Sequence, residues 1–141
     1  MRDENPGRIE MYFKRSLDSL SEISEFLEGF FTRQGVGPDH LESVTLATEE
    51  LFTNMLKYGG GEGEILIGLE RADRELSVSL TDFDVDEFDV TKVPEVRVDR
   101  PLSEREPGGL GIHLIKKMMD RIEYEYVDRR GKTTFVKTLD G

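Results

Sequence analysis

The sequence contains no cysteine and no long apolar run. The absence of cysteine excludes a disulfide scaffold, a thiol nucleophile and a zinc site built on thiolates. The first seven residues are polar, and no segment approaches the roughly 20 apolar residues that a membrane span needs. We therefore expect a soluble, cytoplasmic protein without a membrane partner.

Basic residues are also in the minority, with 19 Lys and Arg against 30 Asp and Glu and a formal net charge of −11. A surface of this charge repels nucleic-acid phosphates and anionic lipids, so we expect no direct nucleic-acid binding. A basic patch on another protein is the better electrostatic match. ATP is compatible with such a surface only where local dipoles and Mg²⁺ offset the overall field.

Hydrophobic periodicity predicts one domain over residues 1–141, a length that buries roughly two-thirds of the unfolded surface. The predicted elements are a strand at 9–13, a helix from a Ser19/Glu22 capping box to Gly35, a helix at 38–58, strands at 65–69 and 76–80, a long loop at 83–106, a helix at 108–119, and strands at 122–126 and 135–139. This order predicts an α/β two-layer sandwich with helices covering one face of the sheet.

The second predicted helix carries a stripe of polar residues, Glu50, Asn54 and Lys57. Spacings of four and three place them on one side of a helix. The Asn54 amide oxygen is a suitable Mg²⁺ ligand, and the Glu50 carboxylate is a suitable proton acceptor for an attacking hydroxyl. The alternative is a solvated helix face with an ordinary i,i+4 pair, which is the more frequent arrangement for such a helix taken alone.

Two further features carry candidate ligand-binding residues. Asp82 ends a predicted strand, where its carboxylate is able to accept a hydrogen bond from an adenine amino group. The alternative is an ordinary turn aspartate. The sequence Gly108, Gly109, Leu110, Gly111 begins the third predicted helix, where close backbone approach and free N–H groups attract phosphates. The alternative there is a flexible loop before a helix.

Taken together, the Glu50–Asn54 helix, the strand-ending Asp82 and the glycine-rich helix start resemble the GHKL, or Bergerat-fold, histidine kinase-like ATPases. The resemblance covers nearly the whole chain and is strongest over residues 49–58 and 108–120. It implies that Asn54 coordinates Mg²⁺, that Glu50 is the general base and that Asp82 reads adenine. It also implies that Lys57 and the 108–111 segment bind the nucleotide, and that the fold is a mixed sheet under three helices.

Within this family the chain looks like the branch of anti-sigma regulatory factors with serine/threonine kinase activity. The resemblance implies an ATP- and Mg²⁺-dependent protein kinase that phosphorylates an anti-sigma-factor antagonist and binds a sigma factor. It also implies homodimers, although no residue of the sequence identifies an interface.

One position departs from the family pattern. The family has a glycine two residues after the adenine-reading aspartate, and this sequence has Asp84 there. Three carboxylates, at 82, 84 and 86, would then face a polyanionic ligand. The alternative function is therefore a non-catalytic, partner-binding module of the same fold with weak or lost nucleotide binding. A third hypothesis, an acidic interaction protein without a nucleotide site, requires the order of motifs to be a coincidence.

Overall fold

The computed structural model describes residues 7–87 and 115–139. These residues form one five-stranded sheet with the strand order β1-β2-β3-β5-β4. The elements are β1 (Arg8–Phe13), a 3₁₀ turn (Leu17–Ser19), α1 (Leu20–Gln34), α2 (Pro38–Tyr58), β2 (Ile65–Ala72), β3 (Glu75–Phe83), β4 (Arg121–Val127) and β5 (Arg130–Thr138). Residues 115–118 are helical and belong to the third predicted helix, whose predicted start lies outside the described residues.

The two-layer α/β sandwich predicted from the sequence is confirmed, because the described helices pack on one face of the sheet. The core is formed by apolar side chains of β1, α1, α2, β2, β3, β5 and the 115–119 segment, all nearly inaccessible to solvent. Its largest fully buried members are Phe13, Phe30, Phe31, Phe52, Phe135, Ile23, Leu27, Leu51, Ile65, Ile67, Leu69 and Leu76. Period-two and helical spacing in the sequence had indicated most of these positions.

The sheet is antiparallel at every described strand pair, so the expectation of a mixed sheet is wrong. The physical reason is the position of β5. Strands β3 and β4 run parallel to each other, and a parallel pair would have formed had they been neighbours. Strand β5 lies between them and pairs antiparallel with both. No helix in the described part of the chain is long and apolar enough to cross a membrane.

The start of α1 differs from the predicted capping box. Ser19 already has helical backbone angles, φ −76° and ψ −11°, and makes no side-chain cap. Its hydroxyl instead donates to the carbonyl of Lys14 at 2.8 Å. The cap lies one turn earlier, where the Ser16 hydroxyl accepts from the Asp18 N–H at 3.1 Å. An N-cap residue needs an extended backbone, which Ser16 has and Ser19 lacks.

Glycines end both helices, as the sequence predicts. Gly35 closes α1 in the left-handed conformation, φ +68°, with its N–H directed to the last-turn carbonyls. Helix α2 begins with Pro38 in its first turn and ends at Tyr58, followed by Gly59. The chain then passes through Gly60 and Gly61 into β2, and this connection lies beside the end of β3.

Candidate functional site

The polar stripe of α2 is divided by burial. Asn54 is fully buried, with no exposed surface, whereas Glu50 one turn earlier is partly exposed. Lys57 is exposed, and its Nζ lies 5.3 Å from the centroid of the Tyr58 ring. A solvated helix face therefore does not describe Asn54. A buried amide needs polar partners, which makes this position more specific than its sequence spacing suggested.

Glu49 and Glu50 place two carboxylates side by side at the outer part of this stripe. Burial raises the pKa of Glu49 above its ordinary value of 4.5, and the neighbouring Glu50 charge raises it further. The outer part of the stripe thus combines partial desolvation with closely spaced negative charge. Such a site favours a positively charged or proton-donating group nearby.

Asp82 lies in β3 opposite Gly131 of β5 and is only 4% exposed. It is not a turn aspartate. Its Oδ1 forms an ion pair with the Arg15 guanidinium, and the two side chains are 5% and 12% exposed. Its Oδ2 is buried and accepts no hydrogen bond from any described residue. A buried carboxylate oxygen without a donor is costly, so this atom is a candidate acceptor for a ligand.

Arg15 links the two parts of the site. It follows β1 in the chain, and its Nη1 donates to the carbonyl of Met55, in the last turn of α2, at 3.1 Å. Its Nε donates to the carbonyl of Gly63, also at 3.1 Å. The guanidinium thereby joins the end of α2, the glycine connection and Asp82 of β3.

The glycine connection approaches Asp82 so closely that a side chain would collide with it. A Cβ at Gly61 would lie 2.6 Å from Asp82 Oδ1 and 2.5 Å from Arg15 Nη2, and one at Gly59 would lie 3.0 Å from Asp82 Oδ2. The two glycines therefore form a cradle around both carboxylate oxygens.

A small cavity borders Asp82. Its volume is about 10 Å³, and it is lined by Met55, Gly59, Asp82, Val85, Asp86, Tyr124, Gly131 and Thr133. This volume corresponds to roughly one water molecule. The acceptor Oδ2 and the glycine cradle suit an amino group, and Arg15 already binds the other carboxylate oxygen.

Asp84 does not face this cavity. Its backbone is left-handed, with φ +56°, a conformation that aspartate tolerates better than most residues. Its carboxylate is 89% exposed and accepts from Arg129 Nε at 2.9 Å. Asp86 is 95% exposed and accepts from Arg129 Nη1 at 3.1 Å. Of the three carboxylates expected to face one ligand, Asp84 is therefore turned away from the cavity, whereas Asp86 lines it together with Asp82.

The segment after β3 is also hydrogen-bonded to the β4–β5 hairpin. The Val85 N–H donates to the carbonyl of Arg129 at 3.1 Å, and the Tyr126 hydroxyl donates to the carbonyl of Val85 at 2.6 Å. Neither Arg15 nor Arg129 could be identified from the sequence, because a single arginine in a segment that connects two elements is not part of any hydrophobic periodicity.

The predicted phosphate-binding residues, Gly108, Gly109, Leu110 and Gly111, lie outside the described residues, so their role stays a prediction. Within 7–87 and 115–139, no group of three or more His, Cys, Asp or Glu side chains is arranged to hold a metal ion. A Mg²⁺ ion at Asn54 would accordingly take its other ligands from phosphate oxygens and water, as Mg²⁺ in nucleotide sites commonly does.

Comparisons with known proteins show the family to which the chain is similar. Residues 13–137 match the family model described as the histidine kinase-like ATPase domain. A protein from Halalkalibacterium halodurans named Serine-protein kinase RsbW is 27% identical over 128 residues, which cover 87% of this chain and 78% of that protein. A protein of the same name from Staphylococcus aureus is 30% identical over 122 residues, which cover 81% and 76%.

One solved structure shares the fold. The crystal structure of the RsbU and RsbW domains of Rv1364c from Mycobacterium tuberculosis superposes with a TM-score of 0.66 over 94% of this chain, at 11% sequence identity. This chain spans 32% of that longer chain, and at such low identity the likeness concerns the fold alone.

Proposed function

Because this chain belongs to the histidine kinase-like ATPase family, we propose that it is an ATP-dependent serine/threonine protein kinase that acts as an anti-sigma factor. The observation that carries the proposal is the buried Asp82 carboxylate in its glycine cradle, beside the end of the helix that bears Glu50 and Asn54. The relatives named Serine-protein kinase RsbW support the kinase activity over a purely partner-binding module.

Each part of the proposed site has a separate task. Asp82 accepts a hydrogen bond from the adenine amino group, and Asn54 offers an amide oxygen to Mg²⁺. Lys57 and residues 108–111 contact the nucleotide. When bound, ATP supplies the phosphoryl group, and Mg²⁺ offsets the charge of its phosphates. Glu50 orients the incoming serine or threonine hydroxyl and accepts its proton.

The proposed partners are a sigma factor and an anti-sigma-factor antagonist, the latter being the phosphorylated substrate, and the proposed location is the cytoplasm. The formal net charge of −11 supports a partner with a basic contact surface. Homodimerisation is part of the same proposal.

Isothermal titration calorimetry with ATP and ADP, with and without Mg²⁺, tests nucleotide binding. The wild type is expected to bind with Mg²⁺-dependent affinity. Asn54→Ala is expected to lose about tenfold or more of that affinity in Mg²⁺, while binding measured in EDTA changes little. Circular dichroism establishes that the variant is folded. Absence of wild-type binding at millimolar nucleotide contradicts the proposal.

A phosphorylation assay with γ-labelled ATP and a serine-containing anti-sigma-factor antagonist tests the reaction. Glu50→Gln is expected to bind ATP normally and to transfer phosphate about 10²- to 10⁴-fold more slowly. Nucleotide binding without phosphate transfer by the wild type supports the non-catalytic alternative instead.

A further inference from the structure

Arg15 binds the carboxylate that is proposed to read the nucleotide base. All of its guanidinium nitrogens are engaged: Nη2 with Asp82, Nη1 with the Met55 carbonyl and Nε with the Gly63 carbonyl. The side chain is 12% exposed. Beside it, the cavity at Asp82 measures only about 10 Å³. Pockets that hold small-molecule ligands measure roughly 300–1,000 Å³.

We propose that Arg15 is a displaceable plug, which holds Asp82 in the nucleotide-free protein and must leave before an adenine amino group reaches this carboxylate. This inference rests on the proposed function, because it assumes that Asp82 is the base-reading residue. It adds a competition between an internal cation and the ligand for one carboxylate.

The ion pair is built differently from a permanent structural one. A guanidinium that serves only to neutralise a carboxylate commonly binds both of its oxygens in a two-pronged arrangement. Here Arg15 binds Oδ1, while Oδ2 stays buried and accepts from no described residue. The pair therefore leaves one buried acceptor without a donor, which makes the closed state less stable than a two-pronged pair would be.

The other two contacts of Arg15 are easily given up. The Met55 carbonyl also accepts from the Gly59 N–H at 2.9 Å, so it keeps a hydrogen bond when Arg15 leaves. Gly63 is exposed, so water replaces Arg15 at its carbonyl. Arg15 lies outside any strand or helix, between β1 and the 3₁₀ turn. Its departure exposes Asp82 to the ligand and leaves no buried carbonyl without a donor.

The closed state lowers the apparent affinity for nucleotide. When only a fraction of molecules has Arg15 displaced, the apparent Kd equals the intrinsic Kd divided by that fraction. The charged guanidinium forms a stronger hydrogen bond to carboxylate than the neutral adenine amino group does. Other parts of the nucleotide, above all its phosphates, must therefore supply the binding energy that displaces Arg15.

Calorimetric titration of MgATP into wild type, Arg15→Ala, Arg15→Lys and Arg129→Ala tests the proposal. Arg15→Ala is expected to bind about tenfold or more tightly than wild type, a change set by the fraction of closed molecules. Arg15→Lys keeps the positive charge but not the three hydrogen bonds of the guanidinium. Its Kd for MgATP is expected to lie between those of wild type and Arg15→Ala. Arg129→Ala removes a surface arginine paired with exposed carboxylates, and its Kd is expected within about twofold of wild type.

Thermal unfolding without nucleotide gives a second, independent measurement. Arg15→Ala is expected to lower the Tm, because the closed state loses its ion pair. Saturating MgATP is expected to raise the Tm of Arg15→Ala by more than it raises the Tm of wild type. A lower Tm combined with tighter binding is the expected signature of a plug. A purely structural ion pair gives a lower Tm with equal or weaker binding, and that result overturns the proposal.

The wild-type protein also provides a test that does not depend on the folding of a variant. In ¹⁵N-resolved NMR, the Arg15 Nε–H is expected to exchange slowly in the free protein and rapidly in saturating MgATP. An unchanged, protected Nε–H in the ATP complex overturns the plug and leaves the proposed function intact. Failure of both wild type and Arg15→Ala to bind at millimolar MgATP overturns both proposals.

Discussion

The two ends of the candidate site are built in different ways. At the α2 end, Glu50 and Asn54 lie one helical turn apart, so local helix geometry brings them to one side. At the β3 end, Asp82 is paired with Arg15, which is 67 residues away in sequence, and is enclosed by the glycine connection. Helix geometry aligns the residues of the first end, of which Asn54 is also buried in the packed fold, and the second end depends on contacts between distant segments.

The two ends also differ in how they hold charge. The α2 end carries its carboxylates partly exposed to solvent, whereas the β3 end buries an ion pair. Substitutions at the β3 end should therefore change the stability of the fold, and substitution of the partly exposed Glu50 at the α2 end should change chemistry more than stability. Four substitutions test this difference, from the largest expected effect to the smallest.

Asp82→Ala should have the largest effect. It removes the counter-charge of Arg15, and hydrogen bonds to charged groups contribute about 1.5–3 kcal/mol, so a loss of that size in the free energy of unfolding is expected. Glu50→Ala, at the other end, should change it by less than about 0.5 kcal/mol. Urea denaturation at neutral pH measures both. Equal losses for the two variants would remove the distinction between the ends.

Gly61→Ala should have the next largest effect. The new Cβ would lie 2.5 Å from Arg15 Nη2, 2.6 Å from Asp82 Oδ1 and 2.8 Å from Val85 Cγ1. These side chains must shift, at an expected cost of about 1–2 kcal/mol. Gly63→Ala is the matched control, since a Cβ there meets no atom within 4 Å. Similar unfolding midpoints for the two variants would show that the cradle tolerates a side chain.

Asp84→Gly should have a small effect on stability and on binding. Glycine relieves the left-handed backbone, while the loss of the exposed pair with Arg129 acts in the opposite direction. We expect the free energy of unfolding to change by less than about 1 kcal/mol and the Kd for MgATP to stay within about threefold, or roughly 0.7 kcal/mol. A much larger gain in affinity would mean that Asp84 obstructs the site after all.

Glu49→Gln should have the smallest effect, and that effect should depend on pH. Burial and the Glu50 charge raise the pKa of Glu49 in the folded protein, so its ionised form opposes folding above that pKa. The variant should therefore have a slightly higher Tm than wild type at neutral pH, and the difference should vanish as the pH falls below the ordinary value of 4.5. Glu42→Gln, an exposed change on the same helix, controls for charge; the same pH dependence in both variants would contradict the assignment.

Most of the secondary structure could be predicted from the sequence, because local patterns determine it. Helix α2 runs from Pro38 to Tyr58 as predicted, since proline at its start and glycines after its end are strong boundary signals. Helix α1 starts at Leu20 after Ser19, as predicted, but the capping box is absent, and Ser16 and Ser19 are equally plausible caps in sequence. Only the backbone conformation distinguishes them.

The candidate site could be predicted only in part. Glu50, Asn54 and Asp82 were identified from spacing and from resemblance to a family, and their catalytic and binding roles stay predictions. Arg15 could not be found, because its three acceptors come from segments that are distant in sequence. The outward orientation of Asp84 could not be predicted for the same reason. Its partner Arg129 lies in the connection between β4 and β5, distant in sequence. The antiparallel sheet was missed because strand order is not encoded in periodicity.

The insertion of β5 between β3 and β4 has a consequence for how the protein folds. Strand β3, which carries Asp82, pairs along its whole length with β5, the last strand within the described residues. During synthesis β3 therefore emerges well before its partner, and one of its edges has no hydrogen-bonding neighbour until residues 130–138 leave the ribosome. Long-range pairing of this kind slows folding. The Asp82 end of the site is accordingly among the last parts of the molecule to form, and an unfinished chain exposes an aggregation-prone edge there.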